Sequence, residues 1–186
     1  LVVDAAAERL MKEARVTVDL SSIAKGYGVD VVAEWLLAEG IRDFLVEVGG
    51  EIRVAGRSPR GDAWRVAIER PDASGSVAEA LALTELAVAT SGDYRNFVEI
   101  DGRRYSHSID PRSGFPVVHD LVSVTVVHES AMLADAWATA LIVLGTEQAA
   151  RVAEEQALAV YFIRRVEGGF DGFPTAALEP YLSGRN

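Results

Sequence analysis

Residues 91–116 read SGDYRNFVEIDGRRYSHSIDPRSGFP. Two short β-compatible runs, Asn96–Ile100 and Arg103–Ile109, flank Asp101-Gly102, a dipeptide that accepts the positive φ angles of a tight turn. The stretch is therefore predicted to open as a β-hairpin. Beyond the hairpin, Ser106, His107, Asp110, Arg112 and Ser113 crowd together, while Pro111, Gly114 and Pro116 bend or stiffen the backbone. Turn formation accounts for Asp110-Pro111 and Ser113-Gly114. It does not account for a strand that carries His107 into the turn. By itself His107 is open to two readings, a hydrogen-bonded strand residue or a proton-transfer group.

Upstream, Leu1 to Glu13 is Ala-rich with helical spacing and is predicted to be the tail of a helix, and Arg15–Leu20 alternates like a short strand. Ser21 or Ser22 is positioned to cap a helix running to about Glu39, where Gly40 ends it, with Val32, Trp35 and Leu36 as its buried stripe. Lys25 falls in the first turn of that helix, where the dipole disfavours a cation unless an anion is near. It reads either as a solvated lysine or as an anion-binding one. Gly49-Gly50 between Phe44–Val48 and Glu51–Ala55 marks a second hairpin. Ala63–Glu69, Val77–Thr84 and Leu86–Thr90 are further strands.

Downstream, Leu121–Val127 is a β-branched strand, and Glu129 to Leu144 has helical periodicity closed by Gly145. Asp135 and Thr139 lie four residues apart, so their oxygens project from one face of that helix. A carboxylate among small apolar residues needs a partner. That partner is a hydrogen bond from Thr139, an arginine, or a hard cation that prefers oxygen ligands. Thr146–Gln156 is a second helix, Leu158–Arg165 a strand, Gly168–Phe173 a strand or turn, and a short helix closes the chain.

The chain has 186 residues, 49% hydrophobic, with 28 acidic and 18 basic side chains for a net charge of −10. That length supports a proper core in one domain, and the acidic balance excludes a phosphate-backbone grip on nucleic acid. No cysteine is present, which removes disulfides, thiolate metal sites and cysteine nucleophiles. No apolar run approaches the ~20 residues of a membrane helix. Leu1 rather than methionine opens the chain, inside what reads as an amphipathic helix, so the expectation is a single domain over 1–186 lacking its N-terminal portion.

Four separated segments carry a joint pattern: Val18-Asp19-Leu20-Ser21-Ser22-Ile23-Ala24-Lys25-Gly26-Tyr27, Val46-Glu47-Val48-Gly49-Gly50-Glu51, the stretch 91–116, and Ala134-Asp135-Ala136-Trp137-Ala138-Thr139 with Val143-Leu144-Gly145 behind it. Together they resemble the ApbE family, the FAD:protein FMN transferases. The resemblance implies an α+β, T-fold-like flavin transferase fold of antiparallel sheets with packed helices. It implies transfer of FMN from FAD to a threonine hydroxyl of an acceptor protein, with Mg²⁺ as cofactor and AMP released. Implied acceptors are subunits of membrane redox systems such as sodium-pumping NADH:quinone oxidoreductases and Rnf-type complexes. The implied location is the periplasm, with membrane association only through a possible upstream lipid anchor.

Carried onto this chain, the family's metal site falls on Ser22, Asp135 and Thr139, and its flavin-nucleotide contacts on Asp19, Lys25, His107 and the backbone near Ile109. His107 matches the family's catalytic base, and Asp110 follows in the same motif as a second catalytic candidate. Ala138, in the same turn as the metal residues, offers no ligand. Two other readings compete with the transferase: a Mg²⁺-dependent FAD pyrophosphatase giving FMN and AMP, and a flavin-binding protein without turnover.

Overall fold

The structure, a computed structural model, describes residues 1–72, 75–92, 97–100, 103–106 and 108–183, with only the backbone described over 97–100 and 103–106. Strands β1 (Val2–Asp4) and β2 (Arg9–Met11) form an exposed hairpin, followed by helix α1 (Ala24–Ala38). Strands β3 (Phe44–Val48), β4 (Glu51–Ala55), β5 (Trp64–Glu69), β6 (Val77–Leu83) and β7 (Leu86–Gly92) come next. The short β8 (Phe97–Ile100) and β9 (Arg103–Ser106) pair with each other, Phe97 opposite Ser106. Strand β10 (Leu121–His128) leads into helices α2 (Ala131–Leu144) and α3 (Thr146–Glu155). Strands β11 (Ala159–Val166) and β12 (Gly169–Pro174) and a 3₁₀ turn, Ala176–Tyr181, complete the chain.

The principal sheet has six strands in the order β12-β11-β10-β7-β4-β3, every neighbouring pair antiparallel. Its side chains alternate between two cores, as the two-residue strand period requires. On β11, Val160 and Phe162 face one way, into a core shared with Ala134, Ala138, Leu141 and Ile142 of α2. Tyr161 and Ile163 face the other way, toward Val66, Ile68, Leu81 and Leu83 of the β5–β6 hairpin. Strand β10 is covered on both faces, which is why its seven residues Leu121–Val127 are all buried and read as a near-continuous β-branched run. The α+β expectation of antiparallel sheets with packed helices is the architecture found. None of the described helices is long and apolar enough to cross a membrane.

Three local expectations are corrected. The predicted helix over Leu1–Glu13 is the β1–β2 hairpin: the Asp4 carboxylate accepts the Ala7 N–H at 3.0 Å, a side-chain turn that competes with helix, and no buried face rewards helix formation. Arg15–Leu20 is exposed and joins no sheet, because Asp19 accepts the Ser21 N–H at 2.8 Å and turns the chain into α1. Neither Ser21 nor Ser22 caps that helix, which begins after Ile23 without a side-chain cap.

The buried stripe of α1 also differs from expectation. It consists of Gly26, Val29, Asp30 and Ala33, whereas Val32 is exposed and Trp35 is 59% exposed. Leu36 does pack beside Ala33 and Phe44. The reason is the closeness of α1 to α2. A Cβ on Gly26 would lie 2.2 Å from the Ala131 carbonyl oxygen, so only small residues fit the contact and the bulky ones turn outward.

Candidate active site

The α1–α2 contact builds the first wall of the site. Because Gly26 has no side chain, its backbone N–H reaches the Asp135 carboxylate, donating to Oδ2 at 3.1 Å. Asp135 is 3% exposed, and burial pushes its carboxyl above the usual aspartate range, against the opposing pull of the Gly26 N–H and the Lys25 charge. Thr139, one turn along, pairs its Oγ1 with Ser91 Oγ of β7 at 3.2 Å. Among the described residues, the hydrogen-bond partner of Asp135 is thus a backbone amide, neither Thr139 nor an arginine.

Asp30, also on α1, fixes the start of α2. Its carboxylate accepts the N–H groups of Ala131 and Met132, each at 3.0 Å, and the Ser130 hydroxyl at 2.7 Å, and it pairs with Arg53 of β4 at 2.8 Å. These satisfy helix amides that would otherwise lack partners. Burial opposes ionisation of Asp30, yet the bonds from Met132, Ser130 and Ala131 and the Arg53 charge outweigh it and hold the carboxyl below its ordinary value.

The β3–β4 hairpin supplies the second wall. Gly49 and Gly50 both have positive φ, as their tight turn needs, and carry the chain into Glu51. Glu51 is 1% exposed, and its Oε1 accepts from the Lys25 ammonium at 2.6 Å. Burial raises the Glu51 carboxyl above its ordinary value; the Lys25 contact opposes this and the nearby Asp135 charge reinforces it. The anion that the α1 dipole requires beside Lys25 is therefore Glu51. Sequence reasoning missed it as a site residue, and also missed Asp30. The signal for Glu51 was the first-turn lysine itself, which demanded a carboxylate without saying which one.

The loop after β9 closes the third side. Ile109 bridges Pro116, Asp110 N–H donates to Phe115 O at 2.9 Å, and Gly114 N–H returns to Asp110 O at 2.8 Å. Between these walls lies a cleft of about 950 Å³. Asp19, Ser22, Lys25, Ile109, Asp135 and Thr139 all line it. The structure therefore brings together six of the eight residues singled out from sequence. Asp110 is not on the cleft wall. Its carboxylate is held by Arg112, with Nε at 2.9 Å, and the Arg112 hydrogen bonds keep its carboxyl below the usual range. The eighth, His107, lies outside the described residues, as does the Asp101-Gly102 turn. Asp19 is likewise held below its ordinary value, first by the Ser21 N–H and then by the Ser21 hydroxyl.

The family model described as "ApbE family" matches residues 1–162. The chain belongs to the ApbE family. An ApbE relative named FAD:protein FMN transferase from Vibrio cholerae is 48% identical over 89% of this chain and 50% of its own length. One from Haemophilus influenzae is 47% identical over 84% of the chain and 46% of its own length. The crystal structure of the Pseudomonas stutzeri flavinyl transferase ApbE, apo form, superposes with a TM-score of 0.84 at 44% identity, covering 95% of this chain and 55% of that one. The Thermotoga maritima ApbE protein also gives a TM-score of 0.84, at 30% identity over 97% of this chain and 58% of that one. The chain thus spans about half the length of the curated ApbE relatives it matches.

Proposed function

We propose that the protein transfers FMN from FAD to a threonine hydroxyl of an acceptor protein and releases AMP. The observation that carries this reading is the convergence of Lys25, Asp135, Thr139, Ser22 and Ile109 on one cleft in a chain whose ApbE relatives are named for transfer of FMN from FAD to protein. The proposed acceptors are redox subunits of the sodium-pumping or Rnf type, and the proposed location is periplasmic.

The donor set fits a magnesium ion. Asp135, Thr139 and Ser22 offer oxygen alone on one cleft, and Asp135 is a buried carboxylate whose raised pKa a cation would bring down. When bound there, magnesium would offset the negative charge of the pyrophosphate. Lys25, on the same wall, would supply a further positive charge to offset the negative charge that grows as AMP leaves. In the proposed reaction the threonine oxygen forms a bond to the FMN phosphorus as the anhydride P–O bond breaks. The hydroxyl proton passes to His107, and AMP carries away the electron pair. The assignment of His107 rests on the resemblance. A base with a pKa near ~6.5 suits the step at neutral pH.

Incubation with FAD, Mg²⁺ and a threonine-containing acceptor domain, read by intact mass and an AMP assay, tests the reading. An acceptor gaining the mass of FMN with matching AMP supports transfer. AMP without labelled acceptor supports hydrolysis of FAD instead, and the absence of both products overturns turnover by this chain. His107→Ala should lose ~10²–10⁴-fold in rate while still binding FAD; transfer at the wild-type rate would remove His107 as the base.

A further inference from the structure

Glu51 belongs to a motif that the reaction above leaves unused. It is a carboxylate with only 1% of its surface exposed, and its Oε2 is buried without a hydrogen-bond partner among the described residues. Its Oε1 holds the Lys25 ammonium, whose side chain remains 46% exposed and lines the cleft. Burying the acid end of an ion pair is a poor stabilising device, because its desolvation offsets the attraction, and here half of the carboxylate has no partner among the described residues. What the arrangement does achieve is to fix one end of a flexible four-carbon stem.

The hairpin turn completes the seat. A Cβ on Gly49 would lie 3.3 Å from Lys25 Cδ, so the turn backbone lies against the lysine stem. Lys25 is also one of only two lysines in a chain whose other basic residues are arginine. The second, Lys12, is exposed and donates to the Val16 carbonyl at 3.1 Å. A compact ammonium occupies the cleft wall, and a buried acid behind it sets its position.

We infer that Glu51 is a positioning residue, seating the Lys25 ammonium with Gly49 at the point where the cleft meets the phosphates of its nucleotide. The inference rests on the transferase reading for the identity of that nucleotide. It has a sign that distinguishes it from charge attraction. Glu51→Gln removes a negative charge from an anion site, so nucleotide affinity should hold or improve. The lysine is then no longer fixed, so turnover should fall, because misplaced charge no longer matches the transition state.

The test uses the full chain with ¹⁵N-labelled lysine, where only Lys12 and Lys25 give ammonium signals. Lys25 should show a sharp, slowly exchanging ammonium that moves on addition of ADP with Mg²⁺ and is lost in Glu51→Gln. In the transfer assay, Glu51→Gln should lower kcat roughly tenfold without raising KM for FAD. Added to Lys25→Met, it should lower kcat no further. Lys25→Arg, which keeps the charge but moves it, should also lose kcat, and it gives a second reading should Glu51→Gln fail to fold. An unaltered Lys25 signal in Glu51→Gln, an equal kcat loss in the Lys25→Met background, or a Lys25→Arg variant with wild-type kcat would each overturn the assignment. If the chain transfers no FMN but Glu51→Gln still abolishes the ordered, ADP-responsive ammonium, the transferase reading fails and the positioning of Lys25 stands.

Discussion

Asp135 shows what a site residue costs its own fold. Burial disfavours its charged form more than the Gly26 N–H and Lys25 favour it, so its carboxyl is raised. An acid whose folded pKa lies above its unfolded value stabilises the native state only while protonated, and that contribution fades as pH rises above the ordinary aspartate range. Asp135→Asn keeps an oxygen for the Gly26 amide and removes the charge. Without added metal at neutral pH it should raise the melting temperature, by the few degrees that correspond to about 0.5–2 kcal/mol, while abolishing the Mg²⁺ dependence of any activity. Differential scanning calorimetry with and without Mg²⁺ checks both, and a lower melting temperature in metal-free buffer would contradict the argument. Helical spacing placed Asp135 and Thr139 on one face, and the family resemblance, not the spacing, singled them out as site residues. The sequence could not show Glu51 as the partner of Lys25, since that contact spans two elements and depends on how a hairpin turn meets a helix start.

At the scale of elements, the α1–α2 contact governs the site. Gly26→Ala would press a methyl group into the Ala131 carbonyl, and overpacking of that kind typically costs about 1–3 kcal/mol. Because the same glycine donates to Asp135, the variant should also lose affinity for ADP with Mg²⁺; titration calorimetry beside thermal unfolding reads the two effects separately. Asp30 makes a matching prediction with pH. Its folded pKa is lowered, so its contribution is fully present above the ordinary aspartate pKa and is lost as pH falls through the folded value. Asp30→Ala should cost about 3–5 kcal/mol at neutral pH, since it strands the first amides of α2 and leaves Arg53 only the exposed Glu34, 3.8 Å away. The gap from wild type should close in urea titrations at strongly acid pH. Helix α2 was legible from its apolar periodicity and the closing Gly145. The stripe on α1 was not, because a reading that buries the largest apolar side chains fails where two backbones approach closely and only small residues fit. The amino-terminal hairpin was hidden for another reason, a single aspartate that captures a nearby amide.

For the whole molecule, the net charge of −10 would oppose the approach of FAD, the proposed substrate and itself an anion. The association rate of FAD should rise with salt as the screening length shrinks from about 30 Å at 0.01 M to about 8 Å at 0.15 M. Stopped-flow flavin fluorescence would measure it, and a rate that falls with salt would show that the local field around Lys25 dominates. The sheet was the most legible part of the chain, since Gly49-Gly50 and the β-branched run of β10 announce themselves; strand order was not, because pairing of β7 with β10 joins segments far apart in sequence. That pairing begins at Gly92 opposite Ser123, so everything between β7 and β10 leaves and re-enters the sheet at neighbouring points. A graft of the stretch between Gly92 and Leu121 from one relative to another should therefore carry any partner preference encoded there while leaving the β7–β10 ladder intact.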